Sequence, residues 1–321
     1  MATPQHAFFK GQIVPYSEAK VGVLTHALNY GTACFGGVRG YWNADEQELF
    51  VFRPHEHFKR FVQSAKLLDM QLPFEADDLV AKLGELLRLE NYKEDCYIRP
   101  LAYYADEGIG VRLHGLTPEV SIVAMPFGRY IDKEEGVHVT ISSWRRVDDN
   151  TIPPRGKIAG SYVNSAYAKT DAQRAGFDEA IVLNSAGHIA EGSAENFFLV
   201  RNGVVVTPPV TEGILEGITR RTVMQLLRDE LGATVVERPI DRTELFLADE
   251  AFFTGTGVQI AAITKVDHRL VGTGRMGPLV SRLRSLYFDV VRGKVARYRT
   301  WCAPVYDTVA HARGGAVGVL A

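Results

Sequence analysis

Little in this sequence supports a disulfide-stabilised or zinc-binding protein. The 321 residues include only three cysteines, Cys34, Cys96 and Cys302, which are far apart and form no Cys-x-x-Cys pair. An odd number of widely spaced cysteines supports neither a disulfide framework nor a tetrahedral metal site. We therefore predict that all three are reduced thiols and that the protein binds no metal.

An excess of charge of one sign is also absent. The chain has 36 Lys and Arg against 38 Asp and Glu residues, and no polybasic run. This balance argues against nucleic acid or an anionic membrane surface as the main partner. The sequence contains no stretch of about 18 uninterrupted apolar residues and its first residues do not resemble a secretory signal, so we expect a cytoplasmic protein.

The composition is otherwise that of a soluble globular protein, with 46% hydrophobic residues, enough for one large or two medium cores. Two domains are the better prediction. The apolar run Val120 to Met125 predicts a buried strand, and the polar, irregular segment after it predicts a boundary. We predict a small N-terminal α/β domain over 1–125, an interdomain loop over 126–136, a larger C-terminal domain over 137–304 and a flexible tail over 305–321.

The sequence does contain a lysine in an unusual local setting. Lys157 follows Pro153 and Pro154, which stiffen the backbone, and glycines 156 and 160 flank it. A flat partner can therefore lie close to the backbone. In a pocket that is partly desolvated or holds another cation, the pKa of the ammonium falls and the free amine can form a Schiff base with an aldehyde. Lys157 is thus the first candidate for covalent chemistry.

Two predicted helices carry candidate anion ligands. Pro54 suits the first turn of a helix with an apolar stripe, and Arg60 lies on a neighbouring face of that helix. This arginine is either an ordinary solvated residue or a phosphate ligand. Gly217 and Thr219, at the start of another helix, offer N–H groups and a hydroxyl that suit phosphate, but an ordinary helix cap explains the threonine as well.

A strand and a turn carry further candidates. Alternation along a predicted strand places Tyr97 and Arg99 on one face, where they either bind an anion together or form a surface pair. The turn Thr256–Gly257 follows another predicted strand and can present N–H groups to an anion. Glu191 lies in a segment rich in glycine and serine, and on its own it indicates no more than a solvated charge.

Six segments occur in a recognisable order along the chain. They are Ser142-Ser143-Trp144, Asn150-Thr151-Ile152-Pro153, Lys157 with Tyr162, Glu191 to Phe198, Gly217-Ile218-Thr219-Arg220 and Leu247-Ala248-Asp249-Glu250. In this order they resemble the branched-chain amino acid aminotransferases, which are fold type IV pyridoxal-phosphate enzymes. The resemblance extends roughly from Phe9 to Val291. It implies an α/β (α+β) fold like that of D-amino acid aminotransferase, with the cofactor between two domains.

The resemblance also implies roles toward pyridoxal 5'-phosphate. Lys157 matches the lysine that holds the cofactor covalently and then moves the substrate proton as general acid and base. Glu191 matches the carboxylate that keeps the pyridine nitrogen protonated, and Tyr162 matches the phenol bonded to the cofactor's O3′. The residues that match the phosphate cup are Arg60, Ile218, Thr219 and Thr256.

The positions that match the family's substrate pocket are Phe35, Arg39, Tyr97, Arg99 and Tyr130. The Thr256–Gly257 turn is expected to bind the substrate carboxylate through its N–H groups. Tyr30 is expected to reach a neighbouring subunit's pocket, because family members are homodimers or larger assemblies. Gly36 stands where the family commonly has glutamate, so we expect a wider, less acidic pocket that admits bulky (R)-amines as slow side substrates.

The function that the resemblance implies is transfer of an amino group between branched-chain L-amino acids (Leu, Ile, Val) and 2-oxoglutarate. Alternatives on the same fold are an (R)-amine or D-amino acid transaminase and, less favoured, an aminodeoxychorismate lyase. Tyr97 with Arg99, and the segment Gly128-Arg129-Tyr130, favour the branched-chain arrangement. A non-catalytic small-molecule binder is expected to have lost Lys157 or Glu191, and both are present.

Overall fold

The computed structural model describes residues 3–128 and 135–306 of the chain. Tyr130, most of the predicted interdomain loop and the predicted tail beyond residue 306 lie outside the described residues. Within the described ranges, no helix is long and apolar enough to span a membrane.

Strands and helices cover most of the described chain. The strands are β1 (His6–Phe9), β2 (Gln12–Pro15), β3 (Ala33–Phe35), β4 (Val38–Asn43), β5 (Glu48–Phe52), β6 (Cys96–Tyr104), β7 (Pro118–Pro126), β8 (Val137–Arg145), β9 (Glu179–Leu183), β10 (Ile189–Gly192), β11 (Asn196–Arg201), β12 (Val204–Thr207), β13 (Thr234–Glu237), β14 (Glu250–Gly255), β15 (Gln259–Val266), β16 (Arg269–Leu270) and β17 (Cys302–Pro304). The helices are α1 (His26–Tyr30), α2 (Pro54–Lys66), α3 (Ala76–Glu90), α4 (Tyr162–Arg174), α5 (Ile218–Asp229) and α6 (Pro278–Val291).

The strands form two sheets. The first has the order β17-β5-β4-β6-β7-β1-β2, with β3 also paired to β6, and all its pairings are antiparallel. The second has the order β10-β9-β8-β15-β14-β11-β12-β13, with β16 paired to β15. In this sheet β8 is parallel to β9 and to β15, and β12 is parallel to β13. An antiparallel sheet and a mixed sheet, with flanking helices, confirm the predicted α/β (α+β) class.

The helices of the first sheet follow from apolar spacing. Phe58, Phe61 and Ala65 recur on one face of α2 and are buried, as are Leu79 and Leu83 on α3. Both helices pack against the first sheet in one core. This burial turns Arg60, on the neighbouring face of α2, toward the space between the two sheets.

The C-terminal end of the described chain differs from its prediction. Strand β17, which we assigned to the C-terminal domain, pairs with β5 of the first sheet. Val305, the first residue of the predicted tail, is buried, and its N–H donates to the buried carboxylate of Glu48 at 3.0 Å. The N–H of Tyr306 donates to the same carboxylate oxygen at 2.8 Å. A strand of three residues carries too little alternation to be recognised in a sequence.

The loop that carries Lys157 is attached to the first sheet and its helix α2. The N–H of Phe35 donates to the carbonyl of Lys157 at 3.0 Å, and the N–H of Lys157 donates to Ser64 Oγ at 3.2 Å. The N–H of Gly160 donates to the carbonyl of Gly31 at 3.2 Å. These bonds fix the backbone of the lysine on both sides, so its side chain extends from a rigid support.

We expect Gly31→Ala to displace this loop. Gly31 has a φ of +68° and an added Cβ would lie 2.9 Å from Gly160 Cα, whereas Gly203 has a φ of +76° with no atom within 4 Å of an added Cβ. In both alanine variants the free energy of unfolding should fall by roughly 1–2 kcal/mol, because the added Cβ disfavours the left-handed backbone conformation. The free energy of unfolding should fall further only in Gly31→Ala, because there the added methyl group also collides with the backbone of Gly160. Equal losses of the free energy of unfolding in denaturant titrations would show that the loop absorbs the methyl group.

Candidate functional site

A cavity of about 530 Å³ lies between the Lys157 loop, the first sheet and the second sheet. Eleven of the residues predicted for the site line it: Phe35, Arg60, Tyr97, Arg99, Lys157, Tyr162, Glu191, Ile218, Thr219, Thr256 and Gly257. They come from both sheets, from α2 and from the starts of α4 and α5. The structure therefore gathers at one place side chains that the sequence separates widely.

Lys157 and Tyr162 form the reactive end of the cavity. A short turn after Lys157 leads into α4, so that Lys157 Nζ donates a hydrogen bond to Tyr162 Oη. The Phe35 ring lies 4.6 Å from the Tyr162 ring and 5.1 Å from the ammonium. Burial and the Arg60 guanidinium lower the pKa of Lys157 to about 8, as the sequence predicted. Part of the amine is therefore free near neutral pH and can act as a nucleophile for aldehydes.

Glu191 supplies a buried negative charge on the opposite sheet. Its Oε2 accepts hydrogen bonds from Asn196 Nδ2 at 3.0 Å and from the N–H of Leu215 at 3.1 Å. Its Oε1 lies 2.9 Å from a guanidinium nitrogen of Arg146. Burial raises the pKa of Glu191, and Arg146 and the Leu215 N–H oppose that rise. The carboxylate is thus a fixed acceptor for a cationic N–H in the cavity.

Arg146 lines the cavity, and the sequence analysis missed it. It directly follows β8, two residues after the recognised Ser142-Ser143-Trp144 segment. That position was the available signal, but nothing local distinguishes it from its exposed neighbour Arg145.

The start of α5 forms an anion site together with Arg60. Ile218 and Thr219 open the helix, and its N-cap residue makes no side-chain capping bond, so the first N–H groups remain for a ligand. Arg60 Nη1 donates to the carbonyl of Glu216, just before the helix, at 3.2 Å. Thr254 also lines the cavity, and its Oγ1 is buried without a hydrogen-bond partner in the described part of the chain. These groups suit a phosphate ester.

The remaining wall combines a cation with apolar rings. Arg99 Nη2 donates to Tyr97 Oη at 3.0 Å, which places the two predicted residues on one face and in direct contact. The guanidinium also lies 4.5 Å from the Phe35 ring centroid. Met125, Phe127 and Val258 add apolar surface. This wall can accept an aliphatic side chain, or a carboxylate that approaches Arg99.

Thr256 lines the cavity, but its hydroxyl donates to the carbonyl of Gly37 at 3.1 Å. The hydroxyl thus joins the second sheet to the first, and only backbone groups of the Thr256–Gly257 turn remain for a ligand.

Tyr30 does not line the cavity of its own chain. Its hydroxyl accepts the N–H of Gly110 at 3.1 Å.

Arg39 does not line the cavity, contrary to the prediction. Its side chain is buried behind the wall and donates to the carbonyls of Phe127 at 2.8 Å, Gly257 at 3.2 Å and Gly128. Arg39 therefore holds two segments of the wall in place. Sequence position alone did not distinguish a residue in the wall from one behind it.

Gly36 also differs from its prediction. An added Cβ would lie 2.6 Å from Pro100 Cγ, on the side of the strand away from the cavity. Alternation explains this, because Phe35 and Gly37 line the cavity and Gly36 between them faces the other way. The absence of a glutamate here therefore does not enlarge the cavity, and Gly36 gives no reason to expect (R)-amine side activity.

Glu195 is a second buried carboxyl in the cavity lining, and the sequence analysis assigned it no role. The N–H of Ala194 donates to its Oε2 at 3.0 Å. Burial, followed by the negative charge of Glu179, raises its pKa from 4.5 to about 8, and the Lys169 ammonium opposes this rise. Glu195 is therefore mostly protonated at neutral pH.

We expect Glu195→Gln to make stability less dependent on pH. The folded protein keeps the proton on Glu195 up to about pH 8, while the unfolded chain loses it near pH 4.5. The unfolded state thus binds fewer protons in this window, and the free energy of unfolding falls as pH rises, by at most about 1.4 kcal/mol per pH unit. The glutamine variant should lack this slope. Glu216→Gln, at an exposed glutamate, is the control and should retain it.

Known proteins share both the sequence pattern and the fold of this chain. Residues 42–266 match the family model described as amino-transferase class IV. The chain is 49% identical, over 94% of its length and 97% of the relative's, to a probable branched-chain-amino-acid aminotransferase of Aquifex aeolicus. It is similar to the crystal structure of the Thermoproteus uzoniensis branched-chain aminotransferase with norvaline, with a TM-score of 0.91, 43% identity and coverage of 95% and 100% of the two chains.

A second similar structure is that of the T.th. branched-chain amino acid aminotransferase complexed with N-(5'-phosphopyridoxyl)-L-glutamate. The TM-score is 0.89 at 39% identity, and the match covers 95% of this chain and all of the other. That protein holds a phosphopyridoxyl group joined to an amino acid.

Proposed function

This chain belongs to the class IV aminotransferases, and on that basis we propose that it is a pyridoxal 5'-phosphate-dependent aminotransferase of branched-chain L-amino acids, with 2-oxoglutarate as amino acceptor. One observation carries the proposal. A single cavity combines a lysine of lowered pKa, a buried carboxylate and a helix start with an arginine. An aldehyde, a basic ring nitrogen and a phosphate on one cofactor need these three groups.

The residues present fit pyridoxal 5'-phosphate. Arg60 with the first N–H groups of α5 suits its phosphate, the amine of Lys157 suits its aldehyde, and the carboxylate of Glu191 suits its pyridine nitrogen. Beside these groups, the buried Thr254 hydroxyl has no hydrogen-bond partner among the described residues. When bound, this cofactor supplies an electron sink for the negative charge that forms at the substrate carbon.

Lys157 moves the substrate proton. Its Nζ, with a pKa of about 8, takes the proton from the Cα of the amino acid and is matched to neutral pH for returning it. Tyr162 accepts a hydrogen bond from Nζ and so directs the amine. Glu191 favours a protonated pyridine nitrogen through its negative charge. Lys157 is thus the catalytic residue, and Tyr162 and Glu191 hold the reacting groups.

The cavity wall accounts for two kinds of substrate side chain. Phe35, Met125 and Val258 offer apolar surface to a branched aliphatic chain. Arg99, which shares a hydrogen bond with Tyr97, offers a cation to the distal carboxylate of 2-oxoglutarate or glutamate. The norvaline and phosphopyridoxyl-glutamate complexes of the related proteins agree with both kinds of ligand. Among the described residues that line the cavity, no feature favours an (R)-amine, a D-amino acid or a lyase substrate.

We expect Lys157→Ala to abolish the visible absorbance of the lysine-bound cofactor. Turnover with leucine and 2-oxoglutarate should fall by roughly 10²–10⁴-fold from the lost proton transfer alone. Lys59→Ala, which removes an exposed lysine on α2 beside Arg60, should change neither. Near-normal turnover of Lys157→Ala in a coupled assay would contradict the proposal.

An exposed apolar patch supports a homodimer. Val23, Leu28, Ile109 and Val111 are 81%, 63%, 92% and 86% exposed. They lie on two neighbouring segments that a backbone bridge between Thr25 and Glu107 connects. Exposed apolar patches of this kind mark protein interfaces. A second copy that covers this patch would bring Tyr30, on α1 beside Leu28, toward the cavity of its partner.

We expect Leu28→Asp to shift the protein toward monomers. A charge in a desolvated interface is unfavourable, whereas Leu89→Asp, at a leucine that is 54% exposed near the end of α3, should leave assembly intact. Sedimentation velocity across a concentration series measures the difference. If both variants sediment like the wild type as an oligomer, another surface forms the interface; a monomeric wild type would refute the dimer itself.

A further inference from the structure

The ion pair between Arg146 and Glu191 is almost fully enclosed in the cavity wall. The two side chains are 9% and 5% exposed, and Nη2 lies 2.9 Å from Oε1. Arg146 Nε donates to the carbonyl of Gly213 at 3.1 Å, which fixes the plane of the guanidinium. The preceding Arg145 is exposed and donates to the carbonyl of Ser185 at 3.3 Å. Of these two adjacent arginines, only Arg146 meets Glu191.

Glu191 is held from three directions. Asn196 Nδ2 and the Leu215 N–H donate to one of its oxygens, and Arg146 donates to the other. Asn196 Nδ2 also donates to the carbonyl of Leu215 at 2.9 Å, so the two donors brace each other. A carboxylate has about four acceptor positions, and three are used here. The orientation of Glu191 is therefore set before any ligand arrives.

The charge of Glu191 depends on Arg146. A carboxylate buried without a cation takes up a proton, because desolvation penalises the charged form. Arg146 is the cation in direct contact with it; Lys157 and Arg220 also favour its charge, and Glu195 on the adjoining turn is a second carboxyl nearby. A neutral Glu191 would lose the ability to hold a proton on a ring nitrogen.

We infer that Arg146 is a positioning residue that keeps Glu191 ionised and aimed at the cavity, and so sets the preference of the protein for a ligand with a protonated pyridine nitrogen. This inference rests on the proposed function of Glu191. If Arg146 acts through Glu191, its removal weakens binding only of ligands that have the ring nitrogen. If Arg146 only supported the fold, its removal would weaken binding of all ligands alike.

The test compares two ligands of the apoprotein. Pyridoxal 5'-phosphate and its 1-deaza analogue, in which carbon replaces the ring nitrogen, are titrated by fluorescence, and the ratio of their dissociation constants is the readout. Arg146→Met should reduce the preference for the nitrogen-containing ligand by roughly tenfold or more. Arg146→Lys keeps a positive charge and should retain most of the preference. Arg145→Met is the matched control and should retain all of it.

The outcomes separate the inference from the proposed function. Equal weakening of both ligands in Arg146→Met would make the residue structural and would overturn the inference. Glu191→Gln should remove the preference, and Arg146→Met in that background should not reduce it further. An intact preference in Glu191→Gln would instead refute the proposed function of Glu191. If Arg146→Met does not fold, Arg146→Gln takes its place, and the same loss of preference is required of it.

Discussion

The structure of the site depends on one requirement, that the amine of Lys157 is partly free at neutral pH. Two effects lower the pKa of Lys157, the loss of surrounding water and the presence of a neighbouring cation, and the exposed surface of a single sheet offers no removal of water. The chain produces the first effect by placing the lysine between two sheets, and the second by turning Arg60 on α2 toward it. The hydrogen bond that the Lys157 N–H donates to Ser64 and the one that its carbonyl accepts from Phe35 hold the lysine backbone in this position.

The same requirement gives the cavity an excess of positive charge. Lys157, Arg60, Arg99 and Arg146 line it. Of the two carboxyls among its described lining residues, Glu191 is ion-paired and Glu195 is mostly protonated at neutral pH. Such a site is incomplete without an anion, and a phosphate beside Arg60 restores the balance. The remaining cation, Arg99, attracts carboxylates, which amino acids and 2-oxo acids share. Cofactor retention and substrate attraction thus have one electrostatic origin.

The sequence predicted those parts of the molecule that depend on local pattern. Apolar spacing located α2 and α3, and the proline- and glycine-rich segment identified Lys157 before any contact was known. The ordered motifs then identified the family and eleven residues of the cavity. The three-residue strand β17 was not predicted. Its pairing with β5 depends on backbone groups and on the carboxylate of Glu48, and not on an alternation of apolar and polar residues within the strand. Arg146 was not predicted, because its role depends on its ion pair with Glu191, which is distant in the chain.

Arg39 and Gly36 were both predicted to line the cavity, and both predictions were wrong for the same physical reason. The cavity wall here is a single layer of strands, and a side chain on a strand points either into the cavity or away from it. Gly37 and not Gly36 faces the cavity, and an added Cβ at Gly37 would lie 2.4 Å from Tyr97 Oη. The missing side chain at Gly37 therefore lets Tyr97 reach its hydrogen bond with Arg99. Behind this wall, Arg39 fixes the carbonyls of Phe127 and Gly257. The wall of the substrate site is thus shaped by a close approach at the lining residue Gly37 and also by a buried arginine that does not line the cavity, so lining positions alone are insufficient to define specificity.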